Sequence, residues 1–210
     1  MIRRAFFSAL AAAGAVFSTA RTSSAAQASA AGGAGRRHAQ DDWLDQAPRG
    51  HRAVFDCWMS DTMGETVGFA GNWLRVNKEQ YGLAEADLAV VIVVRHGSAP
   101  YAFAPELWTK YGTILAANMA ANDPAAHPVP TTNVHATRLQ ELGKQGMRLA
   151  VCTLSTRRYA QAIAKATAQD AEAVFKEITS HPVSPATFVP AGVVTLTRAQ
   201  ERGYALVSIG

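Results

Sequence analysis

Cysteine is scarce in this 210-residue chain: only Cys57 and Cys152 are present. Two cysteines exclude a disulfide scaffold, although an oxidising compartment would permit one bridge. Several signatures of common chemistry are missing as well. The sequence has no glycine-rich P-loop, no G-x-S-x-G elbow, no H-E-x-x-H zinc helix and no G-x-G-x-x-G fingerprint. Nucleotide-binding, hydrolase and dehydrogenase chemistries therefore lack their residues. No stretch reaches the ~20 strongly apolar residues of a membrane span. There is no basic stripe to hold a nucleic acid, and no internal repeat.

The N-terminus carries a targeting pattern. Arg3-Arg4 stands just before Phe6-Phe7, and an uncharged, alanine-rich run from Ala9 to Ala20 follows. This is the pattern of a twin-arginine export signal, with a small-x-small cleavage site at Ala26-Gln27-Ala28. The expected organisation is a signal peptide at 1–28, a flexible arm at 29–50 and one domain at 51–210, giving a periplasmic protein with no stable membrane anchor after cleavage. The arm starts with Ala, Gly, Ser and Arg, which bury little. Residues 1–28 hold three of the 20 basic residues, Arg3, Arg4 and Arg21, and none of the 16 acidic ones, so 17 basic face 16 acidic residues beyond them. The mature chain is close to neutral, which gives no footing for a nucleic-acid partner.

Beyond residue 50 the pattern alternates between apolar runs and helical stretches, the rhythm of a parallel α/β sheet. Strands are expected at Ala53–Trp58, Leu88–Val94, Met147–Cys152, Thr187–Val189 and Tyr204–Ile209. The unbroken run Leu88-Ala89-Val90-Val91-Ile92-Val93-Val94 implies burial on both faces and a central place in the sheet. Helices are expected at Met63–Tyr81, Pro105–Asn122, Ala136–Gln145, Ser155–Ser180 and Ala191–Arg202. Asp170 is positioned to cap a second piece of the long one. Pro124, Pro128 and Pro130 make Asp123–Asn133 a surface loop. Leu107, Trp108, Tyr111, Ile114 and Leu115 have the spacing of a core or subunit-interface face.

Chemistry concentrates at strand ends. Cys152 closes a short apolar strand and opens a helix, where partial positive charge and unpaired N–H groups favour thiolate over thiol. Arg157 and Arg158 follow within about one and a half turns and are expected to add to that effect. Cys57 ends the first strand and reads as a buried structural thiol. His96 ends the second strand in front of Gly97, either bonded within a tight turn or positioned for proton transfer. His38, His51, His127, His135 and His181 stand beside prolines, at helix ends or in the arm, where solvated turn residues are usual.

Three stretches, taken in order, resemble the DsrE/DsrF-like sulfur-relay family. They are Gly146 to Arg158, the strand ending in Val94-Arg95-His96-Gly97, and Val189-Pro190-Ala191-Gly192-Val193 through Gly203-Tyr204-Ala205. The resemblance covers about Val54 to the C-terminus. It implies a three-layer α/β/α domain with a mainly parallel five-stranded sheet, subunits that self-associate, and a persulfide sulfur on Cys152, exchanged with donor and acceptor proteins or small thiols without a cofactor. It also places the second strand between the first and third, so that Cys57, His96 and Cys152 share the carboxyl edge where ligands of open α/β sheets bind. The outer two cysteines would then start about 10 Å apart, beyond the ~7 Å limit of a disulfide. Side chains converging there, with Met59, would suit a soft metal or a small ligand. A third expectation is a non-catalytic oligomeric partner protein with both cysteines buried.

Overall fold

Five parallel strands are hydrogen-bonded in the order β4-β3-β2-β1-β5. The structure is a computed structural model, and residues 38–47, 50–122 and 128–209 are described. The expected signal segment at 1–28, the first part of the expected arm and residues 123–127 lie outside them. The strands are β1 (His51–Cys57), β2 (Leu88–Val94), β3 (Arg148–Cys152), β4 (Ala186–Val189) and β5 (Ala205–Ser208). The helices are α1 (Met63–Tyr81), α2 (Pro105–Asn122), α3 (Ala136–Lys144), α4 (Thr153–Thr167), α5 (Ala171–Ser180) and α6 (Gly192–Glu201). Helices flank both faces of the sheet in a three-layer α/β/α arrangement.

The uninterrupted β-branched run makes β2 the centre of the sheet, buried at all seven positions. Each such aliphatic side chain contributes about 1.5–3 kcal/mol relative to exposure. One face of the sheet carries Phe55, Ile92, Val94 and Val151 against α1 to α5, with Trp108, Tyr111 and Leu115 inside this core. The other carries Val54, Val91, Val93 and Ala150 against Leu196 and Ala199 of α6.

This imbalance follows from chain direction. From β1 to β4 the chain steps always the same way across the sheet, and right-handed crossovers keep α1 to α5 on one face. The step from β4 back to β5 reverses that direction, so α6 lies on the opposite face. The connections leaving β3 and β4 consequently turn to opposite faces, which makes the gap between those two carboxyl ends the switch point of the sheet.

Local signals end the helices as the residues suggest. Gly82, at φ 65°, takes the left-handed turn that closes α1. Asp170 caps α5 by accepting the Ala173 N–H at 2.8 Å, which divides the long helical stretch in two.

The arm expected at 29–50 is corrected for its last third. Ala39–Leu44 forms a short 3-10 helix, and Leu44 is fully buried among Val54, Leu196 and Tyr204. The Tyr204 hydroxyl donates to the Leu44 carbonyl at 2.9 Å, and Arg52 donates to the Ala47 carbonyl at 2.8 Å. Trp43 and Leu44 were overlooked because two apolar residues make no periodic pattern, yet they suffice to cover the edge of the α6 face.

Candidate functional site

Register decides what the carboxyl edge presents. Cys57 pairs with Val94, and Val94 pairs with Val151. The next row out is therefore Trp58, Arg95 and Cys152, followed by Val189 of β4. Side chains of adjacent rows point to opposite faces. The two cysteines thus share an edge, with the strand of His96 between theirs, but their thiols leave the sheet in opposite directions.

Cys57 enters the larger core. It is fully buried, 3.5 Å from the Met63 sulfur and 3.7 Å from the Met59 carbonyl. Burial pushes its thiol up, and the neighbouring Thr66, Ser98 and Thr62 hydroxyls offset this only in part. It is a structural residue.

Cys152 enters the other face at the switch point and, with 6 % of its surface exposed, is buried as well, so both cysteines are buried as the partner-protein expectation has them. Burial pushes its thiol up as well. The Cys152 side chain makes no capping hydrogen bond to α4, but the Ser155 hydroxyl and the backbone N–H groups of Gly192, Ser155 and Leu154 favour its anion and more than reverse the effect of burial, leaving the thiol below its ordinary range. Leu154 and Ser155 belong to the first turn of α4, and Gly192 opens α6. Two helix N-termini therefore act on one thiol, a consequence of the opposite exits from β3 and β4.

Ser155 links the sulfur to the loop after β2. Its oxygen accepts the His96 N–H at 2.8 Å, and its hydroxyl lowers the Cys152 thiol. His96 holds a left-handed φ of 52°, unusual without glycine. The turn is fixed by Ser98, whose hydroxyl donates to the Cys57 carbonyl at 2.6 Å, and by the Gly97 N–H on the Trp58 carbonyl at 2.9 Å. The His96 ring packs 6.1 Å from Trp58 and meets Arg158 at 3.4 Å through Nδ1. Among the described residues its imidazole makes no hydrogen bond to Cys152, so its connection to the thiol runs through its backbone and Ser155.

The expected cations need correction. Arg157 points away, pairing with Glu172 at 2.8 Å and lying 4.0 Å over the Phe175 ring. Helix α4 starts at Thr153, and that phase turns residue 157 to solvent. Arg158 stacks over Tyr159 at 5.4 Å and reaches His96, not the sulfur. The cation beside Cys152 is Arg95, its neighbour in the row. Both carboxylate oxygens of Asp56 accept from Arg95, Oδ1 from Nε and Oδ2 from Nη2, each at 2.8 Å. The guanidinium also lies 5.9 Å from the Trp58 ring centre.

The metal arrangement of Cys57, His96 and Cys152 is corrected too. Among the described residues no group of three or more His, Cys, Asp or Glu could hold a metal ion. The one-residue offset in register is the cause, and Met59 meets Cys57 only through its backbone carbonyl.

Arg95, Ser155 and Gly192 are the site residues that sequence reasoning passed over. Cys-x-x-Ser at a helix start was the available signal for Ser155, because the third helical residue presents its N–H to the capping position. A 290 Å³ cavity elsewhere, lined by residues that include Leu107, Lys110, Glu177 and His181, shares none of this machinery. In comparisons with known proteins, no family model, no curated protein and no solved structure matches the chain.

Proposed function

We propose that the protein is a sulfur carrier that holds persulfide sulfur on Cys152. The observation that carries this reading is the place of Cys152 in the fold: it ends β3, stands at the N-terminus of α4 at the switch point of the sheet, and has its thiol lowered by Ser155 and Gly192. Such an arrangement favours the thiolate, the form that attacks a sulfur–sulfur bond. With a donor R–S–SH, the Cys152 thiolate attacks the outer sulfur. A new S–S bond forms on Cys152 as the old one breaks, the electron pair leaves on R–S⁻, and the proton stays on the transferred sulfur. Delivery is the same exchange run toward an acceptor thiol. The resemblance of Gly146 to Arg158 to DsrE/DsrF-like proteins supports the reading, as does the thiol's position at the edge of an α/β sheet.

We place this chemistry in the periplasm, after export by the twin-arginine route, on the strength of Arg3-Arg4 and the alanine-rich run behind them. Replacing both arginines with lysine keeps the charge and should stop translocation. Unchanged periplasmic accumulation would overturn the assignment. Self-association belongs to the same reading and is measured by light scattering of the purified protein.

The deciding experiment for the carrier is mass spectrometry of the protein after incubation with a persulfide donor. A reductant-sensitive gain of about 32 Da on the peptide of Cys152, and none on that of Cys57, is expected. A Cys152 that alkylates readily but never takes up sulfur would remove the carrier role.

A further inference from the structure

We infer that Arg95 is a specificity-determining residue of the Cys152 site, selecting small-molecule sulfur donors and acceptors that carry an anionic group beside the reacting sulfur. The inference rests on the carrier reading for its substrate and on the geometry of Arg95 for its selectivity.

Arg95 is the immediate neighbour of Cys152 across β2 and β3 on the same face of the sheet. Asp56 occupies Nε and one N–H of Nη2, a bidentate grip that fixes the plane of the guanidinium. Its aliphatic stem is wedged under Gly192, where an added Cβ would come within 3.0 Å of Arg95 Cβ and 3.1 Å of Arg95 Cδ. Trp58 covers one side of the guanidinium. Nη1 makes no protein hydrogen bond among the described residues, and the side chain is 25 % exposed. The edge bearing Nη1 is therefore a fixed donor pair open to a ligand that approaches the thiol.

The surroundings favour the same sign of charge. Cys152 is the residue that opens α4, and Gly192 at the start of α6 packs on the Arg95 stem, so the partial positive charges of both N-termini add to that of Arg95. Asp56, the acid nearest this cation, is held by it. The rim also carries exposed apolar side chains: Trp58, which packs on His96, and Leu154 and Val193 in the first turns of α4 and α6 are 38 %, 65 % and 59 % exposed. A carboxylate or sulfonate two or three bonds from the reacting sulfur would bond Nη1 while its carbon chain packs on that rim. A cationic thiol would gain no bond from Nη1, and the acid at hand, Asp56, is already engaged by Arg95.

The test uses two methanethiosulfonate reagents of similar size, one bearing a sulfonate and the other a trimethylammonium group. In both, the Cys152 thiolate attacks the sulfenyl sulfur, the Cys152–S–S–R disulfide forms, and methanesulfinate leaves with the electron pair. Each rate is divided by that of the same reagent with a free small thiol, which removes intrinsic reactivity. The normalised ratio should favour the anion by roughly tenfold at low salt and fall steeply toward 1 M salt. Arg95→Gln should bring it within about twofold of unity, and Arg95→Lys, which keeps the charge without the fork, should fall between.

Cys57 reports the fold during the same measurement, because it is labelled only on unfolding. If Arg95→Gln exposes Cys57, the Arg95→Lys ratio and the salt dependence of the native protein carry the test. A native ratio at or below unity overturns the inference, and so does an anion preference that survives intact in Arg95→Gln. Persulfide on Cys152 without anion preference removes the role of Arg95 and keeps the carrier. Anion preference lost in Arg95→Gln, with no persulfide ever formed, does the opposite.

Discussion

Gly192, at the start of α6, lowers the Cys152 thiol through its backbone N–H, across the gap between β3 and β4. Glycine keeps this approach close. An added Cβ would lie 3.0 Å from Val93 Cγ1 and 3.0 Å from Arg95 Cβ, closer than side chains normally pack. Gly192→Ala should therefore push the start of α6 outward, cost about 1–3 kcal/mol and raise the pH midpoint for Cys152 alkylation. Urea unfolding and a pH series of iodoacetamide labelling measure the two effects. An unchanged midpoint would show that the α6 N-terminus does not act on the thiol.

Ser155→Ala removes the hydroxyl facing the sulfur and strands the His96 N–H. Labelling of Cys152 at neutral pH should slow by roughly tenfold, the factor that one pKa unit represents. A stability loss of about 1–2 kcal/mol should accompany it. Ser155→Thr, which keeps the hydroxyl, should recover most of the rate, and failure of that rescue would indicate packing damage.

The two cysteines should respond to pH in opposite senses. Cys57 has its thiol raised by burial, so its contribution to stability is complete below the ordinary thiol pKa of about 8.5 and is lost as pH climbs through the folded value. Cys152 is lowered by Ser155 and the helix N–H groups acting against burial. Its contribution is complete above the ordinary value and disappears as pH falls through the folded one. Between pH 7 and pH 10 the urea midpoint of Cys57→Ala should fall less than that of the native protein. At pH 7, Cys152 should alkylate while Cys57 stays protected.

Leu44→Ala should destabilise the domain by about 2–4 kcal/mol, because the side chain is fully buried against the α6 face. Thermal unfolding checks this. A change within about 0.5 kcal/mol would mean that residues 39–47 contribute no stability.

Much of the sheet was legible because β2 announces itself. Seven consecutive apolar residues cannot sit at an edge, and the strands and helices around them keep the spacing of a parallel fold. The long helix broke at Asp170 for the capping reason its sequence offers. What stayed hidden was phase and distance. Reading Ala53–Trp58 as the first strand did not reveal that Cys57 aligns with Val151 instead of Cys152, and that single step separates the thiols. Arg157 looked suitable by proximity along the chain, but the true start of α4 turns it outward. Gly192 and Arg95 act on Cys152 only because the chain reverses direction after β4 and because β2 lies beside β3. Neither relation leaves a local pattern.

The opposite orientation of the two thiols also determines how the protein would meet oxidants. Cys152 has no resolving cysteine in its own chain, since the only other thiol is sealed on the far side of the sheet. A sulfenic acid formed on Cys152 has no internal route to a disulfide, and its return to the thiol needs a reductant brought from outside. In an oxidising compartment the working lifetime of the site would then depend on the supply of external thiols, and each molecule would be only as durable as that supply.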